Sequence, residues 1–290
     1  MKPKISSARR MDHFVTAILY IIAAFFVLLL ASITVYILVK GILAASPDLL
    51  GFSGDGVGIQ LFNTIYLVLL SLIVTVPIGI LTGIYLAEYA GKGPFVAIIR
   101  TCIETLSSLP SIVVGLFGFL ILIQLTHSQW NLLAGSLSLA ILNVPLVART
   151  TEDAIRAIPR GYYDGSIALG STRWQTMVRV LLKPSIPRII TGIILAAGRG
   201  FGEAAVLMYT SGMSSDINFK DWNPASHTSP LNVFRPADTL SVHIWALKTE
   251  GIAANSQQIA DLSAAVLIVL VFAFSLGSRA VEHHLQKKMQ

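Results

Sequence analysis

Long, uninterrupted apolar stretches constrain this chain more than any other feature. Phe14 to Val39 is almost wholly apolar, and a helix of that length exceeds the roughly 30 Å hydrocarbon core of a bilayer. The stretch is also far longer than the roughly 7 to 15 apolar residues of a signal peptide, so we expect it to be retained. Only 12% of the residues are charged, against about 25% in an average soluble domain. The sequence therefore predicts an all-α integral membrane protein.

Five further apolar stretches predict a bundle of about six transmembrane helices. Pro110 and Pro145 fall inside the third and fourth spans and are expected to interrupt them. Prolines inside a span are tolerated where neighbouring helices or water satisfy the freed carbonyl groups, which indicates a packed bundle. The predicted spans after the first are Leu61 to Ala87, about Leu106 to Leu125, Leu132 to Val147, Ile186 to Thr210 and Leu262 to Gly277.

Lysine and arginine are distributed unevenly between the two sides of this predicted bundle. With the N-terminus inside, sixteen of them fall on the cytoplasmic side and four on the outer side. Cytoplasmic loops of membrane proteins carry such an excess, so we expect a multi-pass protein of the plasma membrane with both termini in the cytoplasm. The net charge of +6 follows from this distribution, and no basic and aromatic surface typical of nucleic-acid binding accompanies it.

The expected organisation is one membrane domain with two large polar segments and a tail at each end. In the outer segment, Ala237 to Glu250 predicts a short surface helix with Trp245 at the membrane interface. The predicted regions are a cytoplasmic tail (1–13), a first transmembrane helix (14–40), a membrane domain (61–281) with a cytoplasmic loop (151–187) and an extracytoplasmic segment (211–261), and a cytoplasmic tail (282–290).

The sequence offers no evident site for redox, metal or nucleotide chemistry. Cys102 is the only cysteine, which excludes an intramolecular disulfide and a cysteine-based metal site. The histidines show no paired metal spacing apart from the adjacent His283 and His284. No Gly-x-x-x-x-Gly-Lys-Ser/Thr phosphate loop is present. We therefore expect no enzyme activity, no metal and no cofactor.

The predicted cytoplasmic loop, Thr151 to Pro187, is too polar to span a membrane and too rich in helix formers and turns for a slack linker. Asp164 is positioned to cap a short helix through Ala168 and Leu169, and Gly170 is positioned to end it. A short helix that projects from the membrane suits docking into a groove on a partner protein. A basic loop held at the lipid surface explains the same residues equally well.

A charged pair, Arg199 and Glu203, lies within the fifth predicted span. Four residues apart on a helix, the two side chains share a face and reach one another. An arginine at mid-membrane costs about 2.5 to 3.5 kcal/mol even on the insertion scale, so it is expected to face the bundle or a watery path. The pair predicts either an anion pathway or an ion pair that only fixes helix packing. The expected face is Gly192, Ala196, Arg199, Glu203, Val206 and Thr210, with Gly198, Gly200 and Gly202 permitting close helix approach.

These features resemble the binding-protein-dependent ABC permeases. Their cytoplasmic loop follows the pattern Glu-Ala-Ala, three residues, Gly, nine residues, Ile, one residue, Leu-Pro. This chain keeps that spacing from Asp164 to Lys183, with several identities changed. Three stretches are similar more narrowly to the phosphate-specific permeases, and among these to the PstA subunits: Leu109 to Gly118, Val147 to Ala154 and Ala168 to Trp174.

The resemblance implies a type I ABC importer permease (MetI-like) architecture and the import of inorganic phosphate. It implies as partners a sister permease, two ATP-binding subunits and an extracytoplasmic phosphate-binding protein, with membrane lipid around the chain. The sister permease itself, a permease for another oxyanion and a passive anion channel stay open as alternatives. The residues that it assigns are Arg199 and Glu203 on the substrate pathway, and Asp164, Gly165, Ser166, Ala168, Leu169 and Gly170 in a coupling helix that receives the ATPase stroke.

Overall fold

The computed structural model describes residues 4–52, 56–91, 93–251 and 255–289, and every regular element there is helical. The helices are α1 (Lys4–Ala44), α2 (Gly58–Ile84), α3 (Pro94–Ser108), α4 (Ser111–Gly118), α5 (Leu132–Arg156), α6 (Arg160–Ala168), α7 (Arg173–Thr176), α8 (Leu182–Gly202), α9 (Ala205–Thr210), α10 (Leu240–Thr249) and α11 (Ser256–Met289). Short π-helical turns extend α2 (Tyr85–Tyr89) and α4 (Phe119–Gln124), and a third (Met177–Leu181) precedes α8.

Five helical segments of the described residues are each long and apolar enough to cross a membrane. A sixth candidate is the bent pair formed by α3 and the helical stretch 111–124. The predicted fold class, an all-α membrane protein with about six transmembrane helices, is confirmed. The five segments are Met11–Ala44, Gly58–Tyr89, Leu132–Arg156, Arg173–Gly202 and Ser256–Ala280.

Prolines were expected to interrupt the third and fourth predicted spans, and one of these two expectations is wrong. The expected interruption of the third span at Pro110 is confirmed, because the chain turns by 105° between α3 and α4, at Leu109 and Pro110. Leu109 is extended, which is the conformation that a following proline favours. Pro145 is buried inside α5 and does not interrupt it. A proline inside a membrane helix is tolerated where neighbouring helices satisfy the carbonyl group that it leaves without a donor. Residues 151–156, assigned to the loop, therefore belong to α5.

The two terminal helices run beyond their predicted spans. α1 begins at Lys4 and α11 ends at Met289, so the described parts of both predicted tails are helical. α1 packs along α11, where Gly41 lies against Ala265, and most of its large apolar side chains are exposed. Part of the predicted charge asymmetry, including Lys92, lies outside the described residues.

α2 and α5 form the centre of the bundle and approach each other through glycines. A Cβ atom on Gly83 would lie 2.5 Å from Thr151 Cβ and 2.6 Å from the Ala148 carbonyl oxygen, and one on Gly79 would lie 2.7 Å from Val147 Cβ. In a membrane the hydrophobic effect does not drive helices together, so their association depends on close van der Waals packing. Small residues such as glycine permit this close approach of the backbones. The largest buried cluster comprises Leu67, Val68, Val114, Leu132, Leu139, Leu142, Ala197, Phe201, Val206, Leu207, Ala237 and Val242.

Gly83→Val is expected to destabilise the bundle by about 1 to 3 kcal/mol, because an added side chain must push α2 away from α5. The apparent unfolding temperature of the detergent-solubilised protein measures this effect. Gly277→Val is the matched control, since a Cβ on this glycine of α11 would meet nothing within 4 Å. Equal unfolding temperatures for the two variants would contradict the close α2–α5 contact.

Candidate functional site

Arg199 lies on a face of α8 that the rest of the described chain leaves open. Its side chain is exposed, and the neighbouring Leu195 is 55% exposed. A Cβ atom on Gly198 or Gly202 would meet nothing within 4 Å. Within the described residues Arg199 makes no ion pair. Because Arg199 lies about 20 Å along the helix from Ile186, inside the apolar span, its guanidinium needs water or a polar partner from outside the described residues.

The predicted polar face of this helix is wrong in composition. Ala196 is fully buried, Gly192 is buried as well, and Asn143 of α5 donates its Nδ2 to the Ala196 carbonyl oxygen at 3.2 Å. These residues face the chain's own core, whereas Arg199 is exposed. Of the three glycines expected to permit close approach, only Gly200 is in close contact within the described chain. The face that carries Arg199 is thus free for a second protein.

Glu203 does not share a helix with Arg199. α8 ends at Gly202, and Glu203 is extended, with φ −76° and ψ 117°. Its Oε1 accepts a hydrogen bond from the Val206 N–H at 3.4 Å, and no ion pair joins it to Arg199 in the described part of the chain. The predicted pair on one continuous helix is therefore wrong. The physical reason is that α8 ends in a glycine-rich turn, where helix propensity is low.

α9, which follows this break, packs on α4. A Cβ atom on Gly115 would lie 2.9 Å from Val206 Cα and 3.0 Å from the Ala205 carbonyl oxygen. α4 itself follows the break at Pro110, so two interrupted spans meet here. Non-helical backbone at membrane depth is tolerated only where it is buried in protein or lines a watery cavity, and transporters build substrate sites from discontinuous helices. The meeting of the two breaks is a candidate transport path.

α10 stabilises the break at Glu203. Ser241 Oγ donates a hydrogen bond to the Glu203 carbonyl oxygen at 2.7 Å. The predicted surface helix from Ala237 to Glu250 is wrong for its first turn, which is buried, because α10 packs against α2, α8 and α11. Trp245 at 38% exposure keeps a surface position.

A buried polar network fixes the 211–239 segment to α2. Arg235 is 3% exposed and donates Nη2 to Asn63 Oδ1 at 2.8 Å. Asn63 Nδ2 donates to the Asp238 carbonyl oxygen at 3.0 Å and to Ser215 Oγ at 2.8 Å, and an Asp238 carboxylate oxygen lies 3.0 Å from His243 Nδ1. Burial lowers the pKa of Arg235 to about 10, so the guanidinium is still charged at neutral pH.

Arg235→Met is expected to lower stability by about 1 to 3 kcal/mol for each buried acceptor that loses its donor. The acceptors affected are Asn63 Oδ1 and the carbonyl oxygens of Ser229 and Pro230. Thermal unfolding of the solubilised protein measures the loss, with Lys220→Met at an exposed position of the same segment as control. A variant as stable as the control would show that the network does not hold the segment.

α6 is the short helix predicted between the fourth and fifth spans, but it begins earlier than expected. It starts at Arg160 with Pro159 as its N-cap, so Asp164 lies within the helix and does not cap it. Proline is tolerated at a helix start because the first N–H groups lack intrahelical partners. The predicted end is confirmed, since Gly170 has φ +84° and donates its N–H to the Ile167 carbonyl oxygen at 2.9 Å.

The residues assigned to coupling face two directions. Ser166 is 9% exposed, and its Oγ lies 2.9 Å from Thr176 Oγ1 of α7. It therefore supports α6 from within and does not form its outer surface. Leu169, directly after α6, is 89% exposed. The exposed members of the set are Asp164, Gly165, Ala168, Leu169 and Gly170.

The inner side of α6 is anchored to three helices. Interaction with Glu88, in the π-helical turn that extends α2, raises the pKa of the Tyr163 hydroxyl above its usual value. Tyr163 also packs on a buried cluster contributed by the ends of α2 and α5 and the π-helical turn before α8. A force applied to α6 is therefore delivered to these helices together. The cluster comprises Ile84, Ile155, Met177 and Leu181.

Sequence reasoning missed Glu152, which is 7% exposed and joins α3 to α5. Its carboxylate accepts from Arg100 at 2.7 Å and from Arg156 at 3.0 Å, and Arg156 also donates to the Leu86 carbonyl oxygen at 3.1 Å. The i, i+4 spacing of Glu152 and Arg156 was the available signal, but both residues had been assigned to a loop. Among the described residues, no group of three His, Cys, Asp or Glu side chains is placed to hold a metal.

Comparison with known proteins assigns the chain to a family. The profile of the family described as binding-protein-dependent transport system inner membrane component matches residues 79–223, half of the chain. A probable ABC transporter permease protein of Bacillus subtilis, YqgI, is 42% identical over 285 residues, which cover 96% of this chain and 97% of that protein. The chain belongs to this family. It is an ABC transporter permease, and the two broken helices lie within the matched region.

Other relatives of the permease carry more specific names. The phosphate transport system permease protein PstA of Yersinia pestis is 36% identical, over 63% of this permease and 61% of that protein. PstA of Xylella fastidiosa (strain 9a5c) is 30% identical, over 78% and 74%. Solved structures share the fold at low identity, which confirms the MetI-like architecture. They include a bacterial alginate ABC transporter (TM-score 0.63, 17% identity, 95% and 97% coverage) and the MetNI methionine ABC transporter (TM-score 0.59, 16% identity, 83% and 99% coverage).

Proposed function

We propose that the permease is one transmembrane subunit of an ATP-driven importer of inorganic phosphate. Its relatives in Yersinia pestis and Xylella fastidiosa bear the name of phosphate transport system permeases, which favours this cargo. A sister permease completes the pore, and two separate ATP-binding subunits hydrolyse ATP. An extracytoplasmic phosphate-binding protein delivers the anion to the side of the membrane that carries the 211–261 segment.

The observation that carries the proposal is the exposed guanidinium of Arg199 on an unpacked face within an apolar span. A charged side chain facing lipid there costs at least about 2.5 to 3.5 kcal/mol, so this face meets the sister permease and the aqueous path between the two subunits. A guanidinium offers charge and a fork of donors that match phosphate oxygens. Arg199 is thus the group that attracts the anion into the path.

Glu203 is proposed to release the anion. It lies directly after the end of α8. Its carboxylate accepts a hydrogen bond from the Val206 N–H, and its carbonyl oxygen accepts one from the Ser241 hydroxyl. When the break changes conformation during transport, this carboxylate competes with phosphate for Arg199. The competition prevents binding that is too tight for turnover.

α6 is proposed to be the coupling helix, in a permease with both termini in the cytoplasm. The exposed residues at its C-terminal end and Leu169 enter a groove on the ATP-binding subunit, and its buried side transmits the motion to α2, α5 and α8. Coupling to ATP is needed because an anion entering a cell moves against an interior-negative potential, at about 2.3 kcal/mol per charge per 100 mV.

Uptake measurements test the cargo and the energy source together. The permease is reconstituted in liposomes with its sister permease, ATP-binding subunits and binding protein, and uptake of labelled phosphate is followed with ATP, without ATP and with excess sulfate. We expect uptake that requires ATP and resists sulfate. Uptake without ATP would indicate a passive anion channel, and competition by sulfate would indicate a permease for another oxyanion.

A further inference from the structure

A large cleft opens beside α6, where the ends of α2 and α5 approach the start of α3. Its volume is about 1090 Å³, just above the roughly 300 to 1,000 Å³ that is typical of small-molecule sites. It lies far along the bundle from Arg199, which does not line it. The cleft is therefore a feature separate from the proposed transport path.

Arginine dominates the charge of this cleft. Among the described residues, four arginines and two carboxylates line it, an excess of two positive charges. The wall stays positive when Glu152, which lies behind two of these arginines, is counted with them. The charged lining residues are Arg100, Arg156, Arg160, Arg173, Glu88 and Asp164.

The four arginines differ in their partners. Arg100 and Arg156 share the carboxylate of Glu152, at 2.7 and 3.0 Å. Arg160 of α6 and Arg173 of α7 make no ion pair with any carboxylate of the described chain. Two guanidinium groups from different helices therefore line one cleft without an ion-pair partner among the described residues.

We propose that this cleft binds a phosphate-bearing anion between Arg160 and Arg173. Guanidinium forks bind phosphate oxygens with charge-assisted hydrogen bonds in pairs. Two sources supply that chemistry on the cytoplasmic side of the proposed topology: the headgroup of an anionic phospholipid, or free phosphate after import. Basic pockets between membrane helices bind lipid headgroups, and Phe95 and Ile98 of α3, at 64% and 60% exposure, provide apolar surface for acyl chains at its edge.

Binding to the purified complex of permease, sister permease and ATP-binding subunits tests the proposal in two arms. The first arm measures anionic phospholipid that co-purifies, by mass spectrometry. The second arm measures labelled inorganic phosphate bound to the delipidated complex in the Arg199→Gln background, which removes binding at the proposed transport path. Each arm compares Arg160→Gln, Arg173→Gln and the double variant with Arg179→Gln, an exposed arginine that does not line the cleft.

The double variant is expected to lose about tenfold or more of the bound ligand in one arm, while Arg179→Gln retains it. Loss in the lipid arm identifies a headgroup site, and loss in the phosphate arm identifies a site for imported phosphate. Ligand retention equal to that of Arg179→Gln in both arms overturns the proposal. If the double variant does not assemble, ligand binding by Arg160→Gln and by Arg173→Gln is compared with binding by Arg179→Gln, and the same criterion applies. Neither arm measures uptake, so failure here is distinct from failure of the proposed transport function.

Discussion

Arg199→Gln is expected to reduce ATP-driven phosphate uptake by roughly 10- to 100-fold. A hydrogen bond to a charged group contributes about 1.5 to 3 kcal/mol, and losing that contribution in the transport step lowers the rate by about this factor. Glutamine keeps much of the side chain's length but lacks the charge and the fork of donors. Since Arg199 is exposed on an open face of α8, the change removes no hydrogen bond or ion pair within the described chain. Initial rates of labelled phosphate uptake into liposomes measure the effect.

The matched control is Arg188→Gln, an exposed arginine near the other end of α8, which is expected to transport normally. Glu203→Gln is measured beside it and is expected to slow turnover while phosphate still binds. Assembly with the sister permease and the ATP-binding subunits is checked for every variant. Normal uptake by Arg199→Gln would show that Arg199 is not on the transport path. Failure of that variant to assemble would show that Arg199 serves packing between the subunits.

The membrane spans were predictable because burial in lipid depends on local composition. A stretch such as Leu61 to Ala87 has no other stable environment, and the described helix α2 with its π-helical turn covers it. The breaks were not predictable by the same rule. Pro110 and Pro145 are both prolines in apolar stretches, yet the first lies in a 105° turn and the second lies within a continuous helix. Packing by neighbouring helices, which no local pattern encodes, decides between these outcomes.

The candidate sites divide in the same way. Arg199 was found from its sequence alone, because a charge in an apolar span is costly wherever the helix packs. Its relation to Glu203 was predicted wrongly, because an i, i+4 pair presumes a helix that continues. Ser241, which binds the Glu203 carbonyl oxygen from α10, had no local signal at all. Contacts between distant segments are the part of the site that required the structure.

Leu169→Asp is expected to weaken binding of the ATP-binding subunits by roughly 10- to 100-fold and to reduce phosphate uptake in proportion. Leu169 is 89% exposed directly after α6, and burial of a leucine in a partner's groove contributes about 1.5 to 3 kcal/mol. An aspartate there would lose this contribution and require desolvation of its charge. Co-purification of the ATP-binding subunits with the permease measures the loss.

Leu169→Met separates docking from folding, because methionine keeps the volume and apolar character of the side chain. This variant is expected to retain the ATP-binding subunits and transport phosphate. The inner contacts of α6, between Ser166 and Thr176 and between Tyr163 and Glu88, are untouched by either change. Loss of binding in Leu169→Asp alone therefore locates the contact at the end of α6. Full ATPase binding and uptake by Leu169→Asp would instead mean that α6 is not the coupling helix.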